Sequence, residues 1–134
     1  MLAISIIVVG RFYFVIDVCL LLGTSTWGAG ELQDDWYDFL DTLSSLDLTG
    51  KRVGIFGCGD SDSYSDTFCG AIAQIYDGLQ NPGCTFIGAF EPTDYNVTDS
   101  DVCRDGKFVG LAIDEGDDEG KNQARIEAWC SLVK

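Results

Sequence analysis

The chain has 134 residues, 46% hydrophobic and 12% aromatic, enough for one domain with a buried core and too apolar for a disordered segment. With 22 acidic against 8 basic residues the formal charge is −14, which argues against nucleic acid and anionic membrane partners and favours a basic protein surface. There is no His, so the usual general base and the commonest metal ligand are missing, and hydrolytic triads and most zinc sites are disfavoured.

Residues 1–23 are very apolar but carry Gly10, Arg11 and Asp17. The run lacks the flanks of a signal peptide, and its β-branched and aromatic content favours strands over a spanning helix. Two strand-like pieces are expected, 2–9 and 12–22. Parallel neighbours need a crossover of about a dozen residues, which Gly10-Arg11 cannot provide. A hairpin, a bent strand or a lead-in therefore remain open, with a membrane anchor as the alternative. The second piece ends at Gly23 and passes into a turn of small and hydroxyl residues around Trp27. From Glu31 a helical pattern begins, with Leu32, Trp36, Phe39, Leu40 and Leu43 on one face.

Residues 51–59 pass from two charges through Val53, Ile55 and Phe56 to Gly57 and Gly59, a buried strand with a glycine turn. An acidic loop carrying Tyr64 follows, then a helix marked by Phe68, Ile72, Ile75, Tyr76 and Leu79. Asn81-Pro82-Gly83 is a strong turn, and 84–90 a short strand. The stretch 91–106 is long, polar and aperiodic, as functional or mobile loops are. A strand over 107–113 leads into an acidic turn, and the last helix, from about Asn122, places Ile126, Trp129 and Leu132 on one face. Strands alternating with helices predict an α/β fold on a parallel sheet. The six cysteines form no C-x-x-C pair and are expected as reduced thiols in a cytoplasm-like compartment. The sequon Asn96-Val97-Thr98 is too short a pattern to change that.

Trp27 and Tyr64 are isolated aromatics just past strand ends, and adjacent parallel strands bring their loops to one edge of the sheet. Two aromatic faces, with backbone freed by glycines at 28, 30, 57 and 59, suit a flat heterocycle. The competing reading has the aromatics simply covering the sheet end. Cys58 and Cys69 are either packing thiols or reactive ones in the same cleft.

The run from Leu22 to Trp36, around Thr26-Trp27-Gly28-Ala29-Gly30-Glu31, resembles the loop of the flavodoxin family whose Trp packs on one face of the flavin of FMN. Gly57-Cys58-Gly59-Asp60 through Tyr64, Phe68 and Cys69 resembles the loop whose Tyr stacks on the other face. Residues 105–115, after an inserted loop, resemble the long-chain subclass. The resemblance implies a doubly wound parallel sheet in a flavodoxin-like three-layer sandwich, with FMN as cofactor and one-electron transfer between redox proteins rather than catalysis. It places Thr24, Ser25, Thr26, Trp27, Gly28 and Gly30 on one side of the cofactor. Cys58, Gly59, Asp60, Tyr64, Thr67, Phe68 and Cys69 stand on the other. Stacking and acidic surroundings would lower the flavin potential. Asp34, Asp35, Asp38, Asp62, Asp66, Asp114 and Glu115 would dock a basic-surfaced partner such as a ferredoxin–NADP reductase or photosystem I, in the cytoplasm or plastid stroma.

One domain is expected over 1–134, with 1–15 an atypical apolar lead-in and 16–134 flavodoxin-like. The fold is N-terminally incomplete against the family: the Thr-x-Thr-Gly-x-Thr phosphate loop that opens the family's first helix is absent. The family's first strand is central, so unless residues 2–9 fill that slot, the edge of the 12–22 strand is left unpaired. The alternative functions are a flavodoxin-like remnant acting as an interaction module without tight FMN binding, or a truncated non-functional product.

Overall fold

The computed structural model describes residues 4–8, 19–27, 29–80 and 83–133, with backbone alone for 4–8 and 19. Ile4–Val8 forms β1 and Glu31–Leu32 forms β3. Cys19–Trp27 forms β2, which does not end at Gly23 as expected but runs on through the hydroxyl residues 24–26, with Thr24 and Ser25 paired with Gly57 and Cys58 of the neighbouring strand. Helix α1 spans Asp34–Ser44, β4 spans Arg52–Gly59 and, after a 3-10 turn at Ser65–Thr67, α2 spans Gly70–Gly78. Strand β5 is Thr85–Ile87, β6 is Cys103–Arg104, β7 is Lys107–Phe108 and β8 is Leu111–Asp114; helix α3 is Glu119–Leu132. The main sheet runs β1-β2-β4, with β5 and β8 both parallel to β4 on its far side. This is the expected α/β arrangement.

Period-two alternation sends successive residues of β2 and β4 to opposite faces of the sheet. Leu20, Leu22, Val53 and Ile55 pack with Trp36, Leu43, Ile72 and Ile75 of α1 and α2. Leu21 packs with Leu111, Trp129 and Val133 on the side of α3. Helices therefore cover both faces, as a parallel sheet requires. Trp36 anchors α1 by donating its Nε1–H to the Gly23 carbonyl at 3.1 Å. Among the described residues no helix is long and apolar enough to cross a membrane.

The two N-terminal strands are parallel, with Ile4 opposite Cys19 and Val8 opposite Gly23, which corrects the expectation that they cannot be. Between the described ends of the two strands, Val8 and Cys19, lie ten positions of sequence rather than Gly10-Arg11 alone. The 12–18 part of the expected second strand lies outside the described residues. Strand β1 thus occupies the slot beside β2 that would otherwise be a bare edge. Gly10, Arg11, Gly28 and the Asn81-Pro82 part of the predicted turn lie outside the described residues.

Other expectations are corrected as well. Glu31 and Leu32 are not helical: they reverse the chain and pair antiparallel with Trp27 and Thr26, and the helix waits until Asp34. The strand expected over 84–90 keeps only Thr85–Ile87, and that over 107–113 is split between a β6-β7 hairpin and β8. Strand β5 pairs Arg52 to Gly54, and β8 takes over from Phe56 to Gly59, so residues 88–110 are an excursion inserted midway along one sheet position. The polar stretch 91–106 is a packed part of that excursion. It buries Tyr95, Val97 and Val102, and the Tyr95 hydroxyl donates to the Ala112 carbonyl at 2.6 Å.

Last, α3 does not bury Ile126 and Leu132, which are exposed; it buries Arg125 and Trp129. An arginine reads as solvent-facing in any hydrophobic pattern. Here its guanidinium pairs with Asp117 at 2.9 Å, bonds the Asp94 carbonyl and lies 3.8 Å over the Tyr95 ring, so its charge is satisfied inside.

The excursion rejoins the sheet at Gly110, where a Cβ would stand 2.1 Å from the Ile55 carbonyl oxygen. That oxygen belongs to central strand β4 and has no room to retreat. Gly110→Ala is therefore expected to destabilise the fold by about 2–3 kcal/mol, measured by urea unfolding. Wild-type stability in that variant would show that the excursion does not approach β4 this closely.

Candidate functional site

The carboxyl ends of β2, β4 and β8 lie side by side, with Ser25 opposite Cys58 and Gly59 opposite Asp114. The loops that leave these ends enclose a cleft of about 140 Å³. It is lined by Thr26, Gly59, Asp60, Tyr64, Thr67, Phe68, Cys69 and Glu115. Seven of these are residues expected from the sequence. Glu115 was expected only as a surface acid, and its place at the end of an inward strand was the signal that it lines the cleft.

The first loop is a tight reversal between β2 and β3, held by the pairing of Trp27 with Glu31. Gly30 has φ of +84°, a left-handed value that favours glycine, and a Cβ there would come within 3.1 Å of Thr67. Its carbonyl accepts from the Gln74 side chain of α2. The first loop is thus fastened to the second through Gly30. Trp27, one residue past the cleft-lining Thr26, is 45% exposed.

The second loop begins with Asp60, whose carboxylate accepts from the backbone N–H groups of Asp62 and Ser63 at 3.0 and 3.2 Å. This Asx-type turn is the local chemistry for which Asp is favoured in turns. Hydrogen bonds from Ser63, then from Asp62, hold the Asp60 carboxyl below its ordinary range. The turn presents Tyr64 at 48% exposure and closes through the 3-10 segment to Cys69, which sits in the left-handed region before α2.

Thr24, Ser25 and Cys58 line a neighbouring cleft of about 250 Å³ with Gly23, Phe56, Gly57 and Ile113. The Thr24 hydroxyl is engaged locally, donating to the Ser25 carbonyl at 2.9 Å. Burial, then the hydrogen bond and charge of Glu115, push the Cys58 thiol from its ordinary 9 to about 11. Burial, then the charges of Cys58, Asp114 and Glu115, raise Cys69 as well. Both thiols therefore stay protonated at neutral pH and act as packing groups rather than nucleophiles. The five cysteines whose side chains are described are free. Asp114, expected on the surface, is fully buried.

One residue lining the cleft carries an unsatisfied group. Thr26 Oγ1 is buried with no hydrogen-bond partner, and a buried hydroxyl left unpaired is costly. An exposed tyrosine at the rim, a waiting hydroxyl and no cation among the lining residues suit a neutral, flat, hydrogen-bonding ring.

The flavodoxin family model matches residues 14–129. The chain is 43% identical over 115 residues to the flavodoxin of Haemophilus influenzae, covering 85% of this chain and 66% of that one. It is 37% identical over 116 residues to the flavodoxin of a Synechocystis species, covering 87% and 68%. The solved structure of Fusobacterium nucleatum flavodoxin bound to flavin mononucleotide superposes with a TM-score of 0.78 at 33% identity, covering 84% of this chain and 68% of that one. The chain thus spans about two thirds of the length of the curated relatives it matches. A family match over most of its length, relatives at this identity and the shared doubly wound sheet together place the chain in the flavodoxin family.

Proposed function

We propose that this chain binds FMN and serves as a one-electron carrier between redox proteins, with no substrate turnover of its own. The observation that carries the reading is the unpartnered Thr26 hydroxyl, buried in a cleft that Tyr64 rims and Trp27 adjoins. Thr26, Gly59, Asp60, Tyr64, Thr67, Phe68 and Cys69 would hold the ring edge and face from the cleft, and Trp27, Gly28 and Gly30 from the first loop. Thr24, Ser25 and Cys58, in the neighbouring cleft, complete the set. When bound, FMN supplies reversible one-electron transfer at its ring. The protein's part is to stack on the ring, to keep water from it and to surround it with carboxylates that disfavour added negative charge.

Asp34, Asp35, Asp38, Asp62, Asp66 and Glu115 are all exposed, and on a chain of charge −14 they would steer a basic partner toward the cleft end of the sheet. A ferredoxin–NADP reductase or photosystem I has the required character, and the proposed setting is cytoplasm or plastid stroma. Residues 16–134 form the proposed functional domain.

Titration of the apo-chain with FMN, followed by flavin fluorescence, tests the reading. Strong quenching with a dissociation constant of about 1 μM or tighter is expected. Riboflavin is expected to bind within about tenfold of FMN, because no cation lines either cleft among the described residues to reward the phosphate. Absence of quenching at high micromolar protein would reject the carrier and leave the remnant reading.

A further inference from the structure

Tyr64 stands on a turn with little core of its own, for Asp62, Ser63, Tyr64, Ser65 and Asp66 are all exposed. One residue of that turn is buried, Ser61 at 3%, and what it meets is the carboxylate of Asp114, which is 0% exposed. We propose that Asp114, acting through Ser61, is a positioning residue that holds the Tyr64 turn in its cleft-lining shape and so sets the affinity for the flavin ring. The inference rests on the flavin reading above.

The geometry is two-pronged. Asp114 Oδ2 accepts from the Ser61 hydroxyl, and Oδ1 accepts from the Ser61 backbone N–H at 3.2 Å. Oδ1 also accepts from the Gly116 N–H at 3.2 Å, so one carboxylate gathers the loop after β4 and the loop after β8, the two that bring Tyr64 and Glu115 to the cleft. Asn96 of the inserted excursion donates to the same Ser61 hydroxyl oxygen at 3.2 Å, closing the network from a third side. From α3, Asn122 is occupied with the Asp114 main chain, accepting from its N–H at 3.3 Å and donating to its carbonyl at 2.8 Å.

That division of labour separates a positioning role from a merely structural one. The end of β8 is already secured by Asn122 and by pairing with Gly59, so the strand does not need the carboxylate. All three hydrogen bonds received by the carboxylate come from the cleft loops. A buried carboxyl group with bonds of this kind is favoured in one arrangement, because a shift of the turn strips it of both bonds from Ser61.

The test uses the full chain with Ser61→Ala, which removes one bond without leaving the carboxylate bare. In the apo-protein, amide hydrogen exchange at residues 61–64 is expected to speed up by about tenfold while that of β4 is unchanged. FMN affinity is expected to fall by roughly tenfold, and Ser61→Thr, which keeps the hydroxyl, is expected to restore it. In a Tyr64→Ala background the Ser61→Ala loss should largely vanish, since the brace acts through Tyr64. Unchanged exchange of the turn would overturn the proposal, as would an undiminished affinity loss in the Tyr64→Ala background. If the unaltered chain fails to bind FMN, the cofactor reading falls, and the exchange arm still decides whether Asp114 and Ser61 hold the turn.

Discussion

Tyr64→Ala is expected to weaken FMN binding by roughly ten- to hundredfold while leaving the stability of the apo-chain within about 0.5 kcal/mol. The asymmetry follows from exposure. Tyr64 is 48% open to solvent in the absence of ligand, so the fold gains little from it, whereas a stacked ring would gain the whole contact. Tyr64→Phe keeps the face and is expected to bind within a few-fold of the original, which separates stacking from hydrogen bonding by the phenol. Trp27→Ala, at 45% exposure, is expected to behave as Tyr64→Ala does. Fluorescence titrations of the variants alongside thermal melts of the apo-proteins measure both quantities. An affinity change below about twofold for both residues would mean that neither face of the ring is covered by these side chains.

Trp129→Ala is expected to cost about 3–5 kcal/mol, a large part of the 5–15 kcal/mol typical of a domain, and to leave little native protein in moderate urea. Trp129 is the centre of the smaller of the two core layers. It is 3% exposed, meets Phe56 edge-to-face with ring centroids 6.0 Å apart, and packs with Leu21, Leu111 and Val133. Its Nε1–H donates to the Gly88 carbonyl at 2.9 Å, which ties α3 to the start of the inserted excursion. Truncation would open a cavity on the α3 side of the sheet and orphan that carbonyl together. Ile126→Ala on the same helix is the control: its side chain is 37% exposed, and the expected change is about 0.5 kcal/mol. Equal losses at the two positions would contradict the assignment of the buried face.

The contrast between Ile126 and Trp129 shows where sequence patterns stop. Hydrophobic periodicity assumed that Ile126, Trp129 and Leu132 would share a buried face. The helix instead turns Arg125 and Trp129 inward, because Asp117, the Asp94 carbonyl and the Tyr95 ring together satisfy the guanidinium. Two of those partners, Asp94 and Tyr95, come from a separate segment, and no local window contains them. The same holds for 91–106, which reads as a functional or mobile loop but buries Tyr95, Val97 and Val102 in the core. It holds also for Asp114, one carboxylate among many on an acidic chain, whose burial depends on Ser61 fifty-three positions away.

Local chemistry was enough for much else. The alternation of apolar strands with amphipathic helices determined an α/β sheet, because period 2 and period 3.6 are properties of the chain alone. Gly59-Asp60 determined a turn after β4, since an Asp side chain bonds its own following amides whatever surrounds it. The aromatics at the last residue of β2 and past the end of β4 were legible as candidate ring-binding positions for the same reason: parallel neighbours end at one edge. Only the tertiary structure decided that 2–9 and 12–22 contribute parallel strands, that one sheet position is shared by two separate segments, and which hydroxyl at the cleft is left without a partner. Each of these depends on backbone groups distant in sequence meeting at hydrogen-bonding distance, and that is settled by packing rather than by any residue's own preference.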